Sequence, residues 1–302
     1  MLDVLTRAGC FTAIILLGFL LKKIGVFKDS DFTVVSNIVL KVTLPAAIIT
    51  NFANKELDIN LFILTLLGFL CGCLYILLGF LANLRNSKEQ KAFDILNFPG
   101  YNIGCFAMPF VQNFLGPTGV IATCLFDIGN GCICLGSSFS IASMVKDGGK
   151  FSIKRLLRTL SKSIPFLLYI IMPILCLAHV HVPEIVTSFA GIIGNANAFM
   201  AMFMIGIGFK ITAERSQLGK ILRHLVIRYG VAIIIALVFY FLLPFSAEIR
   251  KSLVLLVLSP VGAAVPAFTN ELKSDFGLSS AINSICILCS IVLMVIALVI
   301  VP

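Results

Sequence analysis

Almost the whole chain is written as apolar runs of about 20 residues, the length that crosses a hydrocarbon core, separated by short polar connections. Ten such runs centre near Ala13, Val42, Leu70, Cys105, Cys132, Met172, Ala198, Ile235, Gly262 and Leu293. In lipid a backbone has to satisfy its own polar groups, and that restricts runs of this length to helices. Hydrophobic residues make up 59% of the 302 and charged residues 12%, about half the charged share usual in soluble domains. The expected fold is therefore an all-α polytopic membrane protein with ten transmembrane helices. The first run, starting near Leu5, has neither the basic leader nor the small-residue cleavage site of a signal peptide and reads as a retained helix.

The formal net charge of +9 reflects where the cations sit rather than a nucleic-acid partner. Lys22, Lys23 and Lys28, then Arg85, Lys88 and Lys91, the stretch from Lys146 to Lys162, the group Lys210, Arg215, Lys220, Arg223 and Arg228, and Lys273 all fall on alternate connections. By the positive-inside rule these connections are cytoplasmic, which places both termini outside a cell membrane. Arg7, Lys55, Arg250 and Lys251 fall on the opposite side, and Lys41 lies within the second run.

The most polar connection, "KDGGKFSIKRLLRTLSK", residues 146–162, divides the runs into five and five. An odd number of spans per half makes the second half enter the membrane in the opposite sense, the arrangement of two inverted five-helix repeats, residues 1–145 and 163–302. The fourth run of each half is interrupted in the same way. "LNFPGYNIGCFAMPF", residues 96–110, holds Pro99 and Pro109; "LVLSPVGAAVPAFTNEL", residues 256–272, holds Pro260 and Pro266. A proline inside a helix removes a donor and displaces the carbonyl four residues earlier, here those of Ile95, Cys105, Leu256 and Gly262. Paired interrupted helices point to a binding site near the membrane midplane, where the amides that start each half-helix favour an anion.

The opening stretch "LGFLLKKIGVFKDSDFTVVSNIVLKVTLPAAIITNFA", with a short basic loop and then Pro45, resembles the start of the auxin efflux carrier family. The family's fourth-helix pattern is matched by Asn102, Gly104, Ala107 and Pro109, followed by "LGPTG", and the ninth helix is similar around Pro260. The resemblance implies a fold shared with bile-acid sodium symporters and some sodium/proton antiporters. It implies a scaffold of helices 1, 2, 6 and 7 that often dimerises, a transport domain of helices 3–5 and 8–10, and broken helices 4 and 9 crossing in an X. Organic anions, such as auxin or malate and related carboxylates, are the implied substrates. The plant members' Asn-Pro-Asn element is replaced here by "NFPGYN", so their auxin-binding detail does not transfer.

Polar residues near the breaks are the candidate substrate contacts: Asn97, Tyr101, Asn102 and Gly104 with Pro109 at the first, and Pro260, Pro266, Thr269 and Asn270, followed by Glu271, at the second. Asn102 leads because it matches the family pattern. Asp127, read as the only carboxylate embedded between long apolar runs, is a candidate to hold a coupling H⁺ or Na⁺ or to neutralise a basic partner, with Asn130 on the same helical face. Lys41, with Asn37 one turn before and Pro45 one turn after, could supply positive charge or snorkel towards water. Asn195 and Asn197 sit on different faces of the seventh run, whose Gly, Met and Ala content reads as close helix packing. His179, His181 and His224 are placed at run ends as interfacial histidines. The ten cysteines, including Cys286 and Cys289, read as small hydrophobes with neither disulfide nor metal proposed. No Walker loop, dinucleotide turn or nucleophile elbow occurs, so no enzyme and no cofactor are expected. The expectation is a secondary transporter of small organic anions. The alternative is a cation/proton antiporter or sodium-coupled symporter of the same superfamily.

Overall fold

The computed structural model describes residues 2–148, 150–209 and 215–300, so Lys210 lies outside the described residues and so does the side chain of Arg215. Among the described residues the chain is entirely helical. Seven helices are long and apolar enough to cross a membrane: α1 (Leu2–Lys23), α2 (Asp31–Phe52), α3 (Ile63–Leu81), α6 (Pro117–Asp147), α9 (Glu184–Gly208), α10 (Leu218–Leu242) and α13 (Phe276–Ile300). They coincide with seven of the ten expected runs.

The remaining three runs are built differently. At the sixth, the amphipathic α7 (Ile153–Leu160) meets α8 (Ile164–Leu177) at 79°. Ser152 and Ser163 accept hydrogen bonds from the amides of Arg155 and Phe166 and so start the two helices separately, as capping serines do. The fourth run is two short helices, α4 (Lys88–Asn97) and α5 (Met108–Phe114), and the ninth is α11 (Ala247–Val257) and α12 (Val265–Glu271). Both interruptions are real, but their cause needs correction. Pro99 and Pro260 lie in the unwound links and Pro266 occupies the first turn of α12, where no donor is lost because those amides have no helical partner in any case. Pro109 alone is inside a helical stretch, following the π turn Ile103–Ala107 without a break.

Packing divides the helices into two groups. α1, α2, α8 and α9 pack on one another, and so do α3, α4, α6 and α10–α13. Small residues allow the close approaches in both. A Cβ on Gly206 of α9 would fall 2.1 Å from the Ile15 carbonyl oxygen of α1, and one on Gly129 of α6 would fall 2.0 Å from that of Thr65 in α3. The Gly-rich seventh run therefore packs tightly, as its composition suggested. Three π turns, Val39–Thr43, Ile103–Ala107 and Ile133–Ser137, interrupt the regular helical register; such turns recur at functional sites.

Gly206→Ala should push α1 from α9 and cost about 1–3 kcal/mol. Thermal unfolding of the detergent-purified protein checks this, with Gly219→Ala, which meets nothing within 4 Å, expected to leave the midpoint unchanged.

Candidate functional site

The two unwound links, 98–102 and 258–264, cross inside the bundle. The amide of Asn102 donates to the Pro260 carbonyl at 2.8 Å, joining them directly. Unwinding a helix at membrane depth leaves carbonyls that cost several kcal/mol each if nothing binds them, and here side chains from three other helices do so. Arg228 of α10 donates from Nη1 to the Phe98 carbonyl, and from Nη2 to those of Gly100 at 2.9 Å and Ser259 at 3.1 Å. Asn130 of α6 clasps Tyr101, accepting from its amide at 2.9 Å and donating to its carbonyl at 3.0 Å. Ser290 of α13 donates to the Leu258 carbonyl at 2.7 Å.

Arg228 is completely buried. Its own carbonyl accepts from the Tyr75 hydroxyl at 2.8 Å, and its guanidinium carbon lies 5.4 and 5.5 Å from the rings of Tyr75 and Tyr101, within the range of cation–π attraction. No described carboxylate forms an ion pair with it. The expectation that Arg228 belongs to a basic loop is thus overturned: it is the eleventh residue of the 25-residue α10. Gly100 makes this geometry possible. Its φ of +81° is the left-handed region, and a Cβ there would lie 2.2 Å from the Cys134 sulfur.

Beside the crossing is a cavity of about 170 Å³. Its walls are Tyr101–Cys105 from the first link and its π turn, Gly262–Val265 from the second, Asp127, Asn130 and Cys134 of α6, Leu40 and Leu44 of α2, and Phe166 and Tyr169 of α8. All three π turns contribute residues to it. Asp127 accepts a hydrogen bond from Asn130 at 2.7 Å, so the carboxylate is coupled through one amide to the backbone of the first link. The Tyr169 hydroxyl adjoins Asp127 yet makes no hydrogen bond of normal geometry, and that of Tyr101 is likewise buried and unsatisfied. The side chain of Asn102 makes no protein hydrogen bond, which leaves its amide available to whatever enters.

The predicted site residues separate into two sets. Tyr101, Asn102, Gly104, Asp127 and Asn130 come together at the cavity. Asn97 and Thr269 do not: they form a buried knot with Ser279, in which Asn97 donates to Thr269 at 3.2 Å and accepts from Ser279 at 2.6 Å. This knot ties α4, α12 and α13 together. Pro266 starts a helix, Pro109 lies in the helical stretch that follows the first link, and Pro260 serves through its carbonyl. Asn270 and Lys41 are exposed away from the cavity lining. Asn197 is buried, accepting from Thr43 at 3.0 Å and donating to Gln112 at 3.1 Å, while Asn195 is exposed.

Two further expectations need correction. Asp127 is not the only carboxylate within the bundle, because Asp94 of α4 is buried, accepting from Asn83 at 2.7 Å and pairing with Arg223 at 3.3 Å. Its short distance from Lys88 and Lys91 in sequence hid it among loop charges. His224 is not interfacial either; it is buried in α10, stacked on Phe98 with ring centroids 4.5 Å apart. Of the residues that sequence reasoning missed, Arg228 had one available signal. It stands only two residues before Gly230 and a long uncharged run to Leu243, too far into the helix for a loop.

Two interrupted apolar segments crossing inside a helical bundle, with a cavity at the crossing, are the architecture of secondary membrane transporters. Residues 11–146 match the family model described as membrane transport protein. The matched segment contains the first break, Asp127 and Asn130. No curated protein matches the chain.

Replacing Asn130 by Leu should leave the amide and carbonyl of Tyr101 buried without partners, at about 1–3 kcal/mol for each group. The expected result is a lowered thermal midpoint together with faster amide hydrogen exchange confined to residues 98–102, measured by mass spectrometry. Exchange there at the wild-type rate would contradict the clasp.

Proposed function

We propose that this protein is a secondary transporter that moves small organic anions, carboxylates such as malate-like or auxin-like acids, across the cell membrane by alternating access. The observation that carries the reading is the cavity at the crossing, whose wall is shared between both unwound links and residues of α2 and α8. A relative shift of the two helix groups would open that one space to either side in turn.

In this reading the chain has ten spans in two inverted five-helix repeats, residues 1–145 and 163–302, joined by the basic linker 146–162. The interrupted pairs α4/α5 and α11/α12 count as the fourth and ninth spans. α1, α2, α8 and α9 form the scaffold, through which two copies pair, and α3–α6 with α10–α13 move. The basic connections face the cytoplasm and both termini lie outside. The side-chain amide of Asn102, the backbone at Gly104 and the Tyr169 hydroxyl are the groups that meet the substrate carboxylate.

Asp127 sets a condition on any such anion. Two like charges about 5 Å apart at an effective dielectric of ~20 repel by about 3 kcal/mol, enough to exclude most of the substrate. The anion therefore enters with H⁺ or Na⁺ neutralising Asp127, which makes Asp127 the coupling residue and Asn130 its link to the first break. The same carboxylate is what favours the second reading, a cation/proton antiporter.

Charge movement on a solid-supported membrane bearing proteoliposomes separates the two. A panel of monocarboxylates, dicarboxylates and indole acetate should give a saturable current for one anion class. Asn102→Ala should weaken it about 10-fold or more, the value of one hydrogen bond to a charged group. If no anion gives current while a pH or Na⁺ jump does, and Asp127→Asn abolishes that response, the antiporter reading replaces this one.

A further inference from the structure

The carbonyls of Phe98, Gly100 and Ser259 converge from two chain segments on one point, and the group at that point is the guanidinium of Arg228. Phe98 follows directly on the end of α4 and Ser259 comes two residues after the end of α11, helices of 10 and 11 residues. The negative poles of two helix dipoles therefore meet there. Rings of carbonyl oxygens at unwound helix ends are the chemistry with which membrane proteins hold alkali cations. The rings of Tyr75 and Tyr101, each within 6 Å, add two faces suited to a cation.

We propose that Arg228 is a built-in cation occupying a carbonyl cradle that would otherwise take a monovalent metal ion, so that the crossing of this protein assembles without bound Na⁺ or K⁺. Arginine cannot release its proton in a protein, so the positive charge is permanent. A free cation brought within about 4 Å of it at an effective dielectric of ~20 would bind roughly a thousandfold more weakly than to the same carbonyls alone. Arg228 thus both satisfies the cradle and excludes its natural competitor. It is a positioning residue: it sets the relative placement of the two links, and through Gly100 and Tyr101 the shape of the cavity wall. Any coupling cation is left to Asp127 on the other side of the first link. The inference deepens the transporter reading, but the filling of the cradle rests on geometry alone.

The test uses the purified full-length protein in detergent, with an Asp127→Asn background so that a cation effect reports the carbonyls only. Unfolding midpoints are measured in sodium, potassium, guanidinium and choline chlorides at equal, low ionic strength, at millimolar concentrations where guanidinium does not denature. Asp127→Asn alone is expected to melt at the same temperature in sodium, potassium and choline. Adding Arg228→Ala should lower the midpoint and make it rise saturably with Na⁺, K⁺ or guanidinium but not with choline. A residue with a merely structural role would show the loss without the cation-specific recovery. A saturable Na⁺ or K⁺ stabilisation while Arg228 is present would overturn the proposal, and so would failure of every cation to restore the Ala variant. Should that variant not fold, Arg228→Lys in the same background keeps the charge and should melt alike in sodium and choline; a sodium-specific rise there also overturns it. Because the readout is stability, absence of anion currents would sink the transporter reading while leaving this result to stand or fall separately.

Discussion

A backbone that leaves its helix inside a membrane has to find hydrogen bonds at once, and the structure is organised around that requirement. At the two links five carbonyls, those of Phe98, Gly100, Tyr101, Leu258 and Ser259, are taken up by side chains from other helices: Arg228 from α10, Asn130 from α6, Ser290 from α13. The direct bond from Asn102 to Pro260 then joins the links to each other. The crossing cannot be assembled from either link alone. Each link also draws on the other half of the chain: Arg228 serves Phe98 and Gly100, and Asn102 serves Pro260.

The site shows a division of labour among residues that look alike in sequence. Asn97, Asn102 and Asn130 all flank the first break or face it. Asn97 is consumed by Thr269 and Ser279, Asn130 by the backbone of Tyr101, and Asn102 alone keeps its side-chain amide free at the cavity. An amide already saturated by protein partners holds structure; one left unsaturated can take a ligand. The same distinction separates the Tyr229 hydroxyl, bonded to the Cys286 carbonyl at 2.7 Å, from the unsatisfied hydroxyls of Tyr101 and Tyr169.

Much of the architecture was legible in the sequence, because apolar length and paired interruption are one-dimensional signals. The seven long helices lie where the apolar runs are, and both interruptions fall in the fourth run of each half. Asn102, Gly104, Asp127 and Asn130 were legible as well, two from a family pattern and two from polarity at depth. What was not legible depended on contacts distant in sequence. Arg228 reads as one more basic residue after Arg223 until its three carbonyl acceptors are placed around it, and Asp94 reads as a loop acid until Asn83 and Arg223 close over it. The π turns leave no mark in composition at all. Proline misled in a simpler way: its effect depends on whether it falls within a helix or at its first turn, and Pro266 falls at a first turn.

The buried guanidinium has one more consequence, for how a membrane voltage acts on the protein. An electric field does work only on net charge that changes depth, about 2.3 kcal/mol per elementary charge per 100 mV. The core of the crossing carries the fixed positive charge of Arg228 and the titratable charge of Asp127. With Asp127 ionised this core is neutral; with Asp127 protonated it is positive. A membrane voltage therefore pulls on the core as a whole only in the protonated form. A single proton on Asp127 decides whether the field acts on the crossing at all.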